Sequence, residues 1–274
     1  MTWHAYFLVY PLAGVFTGIM AGLLGLGGGV VVVPILSTLF PLFGIEPALS
    51  VHLAVGTSTA TIVATSSVST RAHFKRRNIN TLLQLGWKLW PGIIIGAILG
   101  GVIADRLSSQ HLATFFSFIV LLLAIRAIFF RSKQNEAHNK YYQWRIPAQF
   151  LLTLITMIIG GMSTLLGMGG GVFMLPLLQH FRLPMRYAVA MSAACGLPIA
   201  IVGTISYMII GYGKTTHLPG STGYVYWPAF IGIIITSMLF APLGVKLAHY
   251  FSPRVLRWLF IVYLLIVSFK MMFF

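Results

Sequence analysis

Acidic side chains are almost missing from this chain: Glu46, Asp105 and Glu136 are the whole set in 274 residues. Catalysis by a carboxylate pair therefore has almost no material to work with. Glu46 and Asp105 fall at the ends of apolar segments and Glu136 in a central polar loop. Pumps that bind cations inside the bilayer usually keep an acid in a span, so a pathway for anions, which needs hydrogen-bond donors, fits better. Cysteine is equally scarce, and Cys195 alone can form neither an intrachain disulfide nor a multi-cysteine metal site. The 8 histidines make no HExxH or other metal spacing, so neither a metal nor a cofactor is expected. His52 and His180 are candidates for carrying protons, since histidine titrates near neutrality. Charge of either sign makes up 8% of the chain against 58% hydrophobic residues, whereas a soluble domain is about 25% charged. That is the composition of a polytopic membrane protein. The net charge of +15 does not point to nucleic acid, because the basic residues sit in short loops between apolar spans, where membrane orientation explains them. The first residues lack a basic leader and a cleavage site, so the first apolar segment reads as a retained span.

What the chain does have is glycine, placed twice in the same pattern. Gly25, Gly27, Gly28, Gly29, Val30 and Pro34 recur 142 positions later as Gly167, Gly169, Gly170, Gly171, Val172 and Pro176, and Gly18 pairs with Gly160 in the same register. This is an internal duplication. It divides the chain into a repeat over 1–140, ending in a polar cytoplasmic loop, and a repeat over 141–274. Three consecutive glycines cost a helix about 1 kcal/mol each relative to alanine. Inside a bilayer a broken backbone is tolerated only where it is packed in protein or lines a wet cavity. Two readings stay open: the glycines let helices pack closely, or the paired breaks mark a transporter's binding site.

Five apolar segments can be drawn in each half: 6–24, 30–43, 50–72, 87–104 and 112–130, then 146–166, 172–181, 187–210, 226–248 and 255–273. Segments two and seven are short, following the glycine-rich loops, and carry Pro34, Pro41 and Pro176. Gly14, Gly18 and Gly22 give segment one a spacing suited to close helix contact. Lysine and arginine decide how many segments cross. With five crossings per half, 15 of them face the cytoplasm and Arg106, Lys214 and Lys270 face out; with segments two and seven re-entrant, the split is 12 to 6. Five crossings are therefore expected. An odd number makes the halves inverted relative to each other and puts both termini outside. The expected fold is all-α and polytopic, two inverted repeats of about five transmembrane segments each.

The glycine loops lack the G-K-[ST] ending of a nucleotide loop and its strand–turn–helix context. Their consecutive amides can form an anion-binding nest, strengthened by the dipole of the helix that follows. Segment three is dense in hydroxyls, among them Thr57 and Ser58, and Ser192 matches Ser58 across the repeat. Any single hydroxyl in a span is more readily bonded to its own helix or to a neighbour, and Ser58 and Ser192 stand out because they match across the repeat. The substrate-binding set read from the sequence is Gly27, Gly28, Gly29, Thr57, Ser58, Gly169, Gly170, Gly171 and Ser192. Arg71 to Arg77 is the densest basic cluster, an orientation anchor that also stands where anions would enter from the cytoplasm.

The doubled glycine motif with Pro34 and Pro176, together with Ala54-Val55-Gly56-Thr57-Ser58 and its second copy Ala188-Val189-Ala190-Met191-Ser192, resembles the TauE/SafE family of membrane proteins, described as sulfite exporters. The second copy departs from the pattern, with Met191 where Thr57 stands. The resemblance covers nearly the whole chain. It implies export of a small sulfur-containing anion (sulfite, sulfoacetate or thiosulfate) across a bacterial inner membrane. Another small anion or an organic acid is the alternative substrate. The partners expected are that anion and the lipid bilayer, with a homo-oligomer left open and nucleic acid not expected. An intramembrane enzyme would need a nucleophile beside a base, which no spacing supplies. An assembly subunit would have no soluble domain for a partner to grip.

Overall fold

A computed structural model describes residues 4–24, 28–74, 79–129, 148–181, 183 and 185–273. Gly25, Leu26 and Gly27 lie outside the described residues, as do Lys75, Arg76 and Arg77 of the basic cluster. The first half contributes α1 (His4–Leu24), α2 (Gly29–Leu42), α3 (Pro47–Phe74), α4 (Ile79–Arg106) and α5 (Ser109–Phe129). The second contributes α6 (Gln149–Leu166), α7 (Gly171–His180), α8 (Met185–Ile210), a hairpin of β1 (Ser221–Thr222) and β2 (Val225–Tyr226), α9 (Trp227–Tyr250) and α10 (Pro253–Met272). Helices α3, α4, α5, α6, α8, α9 and α10 are long and apolar enough to cross a membrane. Their outward faces carry Leu99, Ile103, Ile235, Leu239, Val262 and Ile266, all exposed. An apolar exterior of this extent suits lipid and not water. The protein is a multi-pass, all-α membrane protein.

Two features differ from the sequence reading. Helix α4 begins at Ile79, not Trp87: no proline intervenes, and Leu82, Leu83, Gln84 and Leu85 are good helix formers. The hairpin between α8 and α9 was not anticipated. Its strands pair Ser221 with Tyr226 and Thr222 with Val225, and two-residue strands leave no periodic signal to read.

Short helices follow both breaks. Helix α2 has 14 residues and α7 has 10, which at 1.5 Å per residue is roughly 21 and 15 Å, less than a bilayer core. Pro34 inside α2 cannot donate to the carbonyl of Val30. The hydroxyl of Tyr263 in α10 donates to that carbonyl instead, at 3.2 Å.

Helix pairing interlocks the halves. Helix α1 runs along α9, and α6 runs along α4, so each half's first helix packs on the other half's fourth. Glycines let these backbones touch. A Cβ on Gly18 would stand 2.8 Å from the Cα of Ser237, and one on Gly96 would stand 2.7 Å from the carbonyl carbon of Met157. The predicted glycine ladder at Gly14, Gly18 and Gly22 faces α9 as its spacing suggested. In the other pair the ladder is on α4: Gly92 meets Thr153 and Thr156 of α6, Gly96 and Gly100 meet Gly161, and Gly160 faces the backbone of Ile93. Gly96→Ala is expected to destabilise the protein by about 1–3 kcal/mol, the usual range for an overpacked contact. A fall in the detergent-solubilised melting temperature measures it, and an unchanged melt would show that the two helices separate easily.

The third and fifth helices pair with their counterparts in antiparallel fashion. Gly56 lies beside Tyr207, Thr59 beside Gly203 and Ser66 beside Gly196. The Ser117 hydroxyl donates to the Ser268 carbonyl at 2.7 Å, and Arg257 at the start of α10 donates to the carbonyls of Ala127 and Ile128 at the end of α5. Lys214, just after α8, pairs with Asp105 at the end of α4.

Candidate functional site at the two helix breaks

Each break is made by glycines that adopt backbone angles other residues avoid. Helix α6 ends at Gly167, which is left-handed with φ +62°. The Gly167 N–H bonds the carbonyl of Thr164 and the Met168 N–H bonds that of Ser163, at 3.1 and 3.2 Å. This closing pattern satisfies the last carbonyls of the helix and reverses the chain. Gly169 is again at positive φ, +70°, and α7 starts two residues later. In the first break Gly28 has φ +54°, and its carbonyl accepts from the N–H groups of Val31 and Val32 at 2.9 Å each.

The two breaks touch each other. A Cβ on Gly29 would collide with the Gly167 carbonyl oxygen and stand 2.8 Å from the Met168 Cα. Ile62, near the middle of α3, lies over both: its Cδ1 is 2.9 Å from the Cβ position of Gly29 and its Cγ2 3.1 Å from that of Gly169. Gly170 faces Gly196 and Ile199 of α8. Among the described residues no acceptor is found for the N–H groups of Gly169, Gly170 or Gly171, as the start of a helix leaves them.

Two of the hydroxyls taken from the sequence come to the same place, and all three are already bonded. Ser58 donates to the Gly167 carbonyl at 2.7 Å, so α3 is tied directly to the second break. Ser192 donates to the Gly171 carbonyl at 3.3 Å. Thr57 accepts from the N–H of Tyr226 at 3.0 Å. Thus Gly29, Gly169, Gly170, Gly171, Ser58 and Ser192 gather at the two breaks, Gly28 adjoins them in the chain, Thr57 faces the hairpin instead, and Gly27 lies outside the described residues. Ser58→Ala leaves the buried Gly167 carbonyl without this donor, and a loss of about 1–3 kcal/mol is expected from an unpaired buried group. Thermal unfolding of the purified variant checks this; Ser58→Thr, if it fits, should recover most of the loss.

Residues not singled out from the sequence complete the site. Ser163 and Thr164 in the last turn of α6 are fully buried, and their side-chain oxygens have no hydrogen-bond partner among the described residues. Their signal was weak, two hydroxyls just before a glycine run. The hairpin is the larger omission. Tyr224 and Val225 are buried although they belong to a connection between spans. The Tyr224 carbonyl presses on Gly56 so closely that a Cβ there would overlap it. Its ring stacks against His52 with centroids 5.1 Å apart and meets Tyr207 at 6.3 Å. The Tyr224 hydroxyl donates to Asp105 at 3.4 Å. The hydrogen bond from Lys214 to Asp105 holds that ammonium above the ordinary lysine range, and burial pushes the Tyr224 phenol up. The hairpin therefore fills the half of the bundle around His52 to Thr57.

Exposure differs along α3. Residues 50–62 are buried, whereas 63–69 are half-buried or exposed. These include Thr65, Ser66 and Ser67, on the side that leads to Arg71. Burial of α3 is therefore complete beside the hairpin and lower towards the basic end.

Comparisons with known proteins agree over the whole chain. The model of a family described as sulfite exporter TauE/SafE matches residues 10–271. A probable membrane transporter protein of Haemophilus influenzae is 32% identical over 271 residues, covering 97% of this chain and 98% of that protein. One from Methanocaldococcus jannaschii is 31% identical over 269 residues, covering 92% and 91%. A further probable membrane transporter, from Bacillus subtilis, is 25% identical over 222 residues, covering 75% and 80%. No solved structure matches.

Proposed function

Because the chain belongs to the TauE/SafE family of membrane transporters, we propose that it exports a small sulfur-containing anion, of the sulfite, sulfoacetate or thiosulfate class, across the bacterial inner membrane by alternating access. The observation that carries this reading is the contact of two glycine breaks inside the bundle, with amides at Gly169, Gly170 and Gly171 for which no acceptor is found among the described residues. Free amides at the positive end of a helix are natural partners for an oxyanion. The acid-poor interior supplies nothing to repel it.

The site consists of the Gly27–Gly29 and Gly169–Gly171 amides with Thr57, Ser58 and Ser192. In the present conformation Gly29 seals against Gly167, and the three hydroxyls are bonded to protein. The anion binds when the breaks part, and the serine hydroxyls then exchange their carbonyl partners for it. Such a conformation gains stability only by as much as the anion prefers it. Complete burial of α3 beside the hairpin and lower burial towards the basic end correspond to a state that admits anions from the cytoplasm.

Inverted halves of five crossings account for the antiparallel pairing of α3 with α8 and α5 with α10. Four crossings per half would place a bilayer between Lys214 and Asp105, and between Arg257 and the end of α5, which are in contact.

Purified protein in liposomes should move labelled sulfite, thiosulfate or sulfoacetate down a gradient, faster than protein-free vesicles. Flux of small carboxylates in place of sulfur anions would move the substrate assignment to organic acids. Absence of flux with every one of these anions would end the proposal.

A further inference from the structure

His52 in α3 is 4% exposed and takes no part in the anion site described above. Its Nε2 lies 3.0 Å from the carbonyl oxygen of Ala104, and its Nδ1 lies 3.0 Å from the hydroxyl oxygen of Ser109. The Ser109 hydroxyl in turn donates to the carbonyl of Ala48. Carbonyl oxygens only accept hydrogen bonds. Ala104 therefore takes a hydrogen from Nε2, and Ala48 takes the hydrogen of Ser109. Nδ1 is left facing an oxygen whose hydrogen is already committed. Three contacts call for three hydrogens, while a neutral imidazole and one hydroxyl hold two. An imidazolium supplies the third. In the neutral ring one of the three bonds is lost: either Ser109 turns from Ala48 to Nδ1, or the single ring hydrogen sits on Nδ1 and Nε2 faces Ala104 without one.

The groups around the ring set the balance. Asp105, next to Ala104 on α4, brings a negative charge to this end of the ring, and Lys214, paired with it, a positive one. The Tyr224 face, 5.1 Å away, adds the attraction of an aromatic ring for a cation. Tyr207 of α8 is one ring further on, against Tyr224. Every one of these contacts on the hairpin side belongs to the segment that also presses on Gly56 and bonds Thr57.

We propose that His52 is the binding site for a coupling proton, and that its protonation is linked to the seating of the 211–226 connection in the bundle. A proton gained strengthens the contacts to Ser109, Ala104, Asp105 and Tyr224; a proton lost loosens the element that closes that end of the molecule. The proposal rests on the transporter reading and names its coupling ion.

Two measurements test it. In liposomes, the wild-type protein should accumulate anion when a pH gradient is imposed. His52→Gln should exchange anion at equal pH but lose that accumulation. Accumulation retained in His52→Gln, or a wild-type protein that exchanges anion and ignores the gradient, overturns the proposal and leaves the transport reading standing. Independently of any transport, histidine-labelled protein followed by NMR should show a titrating ring resonance that is missing from His52→Gln. In Asp105→Asn, which keeps the ring in place should the first variant not fold, its midpoint should fall. A spectrum in which no titrating resonance belongs to His52 overturns the proposal whether or not any anion moves.

Discussion

Gly29→Ala should abolish anion flux while Gly28→Ala retains a measurable part of it. The two glycines are adjacent and equally prominent in the motif, yet their surroundings differ. Among the described residues a Cβ on Gly28 meets only the Cγ2 of Thr17, at 3.7 Å, and its difficulty is the φ of +54°, a strain of about 1–2 kcal/mol for a residue with a side chain. A Cβ on Gly29 runs into the backbone of Gly167 and Met168, and into Ile62. Backbone cannot swing aside as a side-chain end can, so the two breaks must be pushed apart. Overpacking of this kind costs about 1–3 kcal/mol, and it falls on the surface that the proposed transport cycle opens and closes. Flux into liposomes, normalised to folded protein, separates the variants. Equal flux in both would mean that the contact between the breaks is incidental to function.

Gly56→Ala should open the hairpin end. Its Cβ would overlap the Tyr224 carbonyl oxygen and stand 2.9 Å from the carbonyl carbon. Relief comes most cheaply by displacing the hairpin, because α3 is fixed on its other side by the Ser58 bond to Gly167. With the hairpin displaced, Thr57 loses its bond from Tyr226 and the outer turns of α3 become reachable. A Thr57→Cys reporter in a Cys195→Ser background should react slowly with a membrane-impermeant maleimide. Adding Gly56→Ala should speed labelling about tenfold, the factor expected for a shift of 1.4 kcal/mol between closed and open forms. No change in labelling would show that the hairpin is not what shields α3.

The variants also bear on how the molecule moves. Transporters with repeated halves are often described as one half rocking on the other. Here α1 is welded to α9 and α6 to α4 by glycine contacts, so the sequence halves are not the mechanical units. Under the proposed alternating access, a motion that preserves these pairs would part the breaks where α3 meets α8.

Much of the architecture could be read from the residues. Scarcity of acids and the run of apolar segments fixed a multi-pass membrane protein. The duplication placed the breaks at Gly27–Gly29 and Gly169–Gly171, and the Gly14, Gly18, Gly22 spacing identified a packing face. These features are legible because they depend on local composition and periodicity, which each segment carries by itself. Tertiary structure alone decided that Gly29 meets Gly167 across the bundle, that Ile62 covers both turns, and that Ser58 and Ser192 bond carbonyls of the second break. It alone brought Tyr224 from a surface connection down to His52 and Gly56. Contacts between residues 109 to 169 positions apart, such as Ser58 with Gly167 and Thr57 with Tyr226, are set by how ten helices share one volume. No pattern within a single segment records that choice, because the same glycine or hydroxyl suits lipid-facing, packed and lining positions alike.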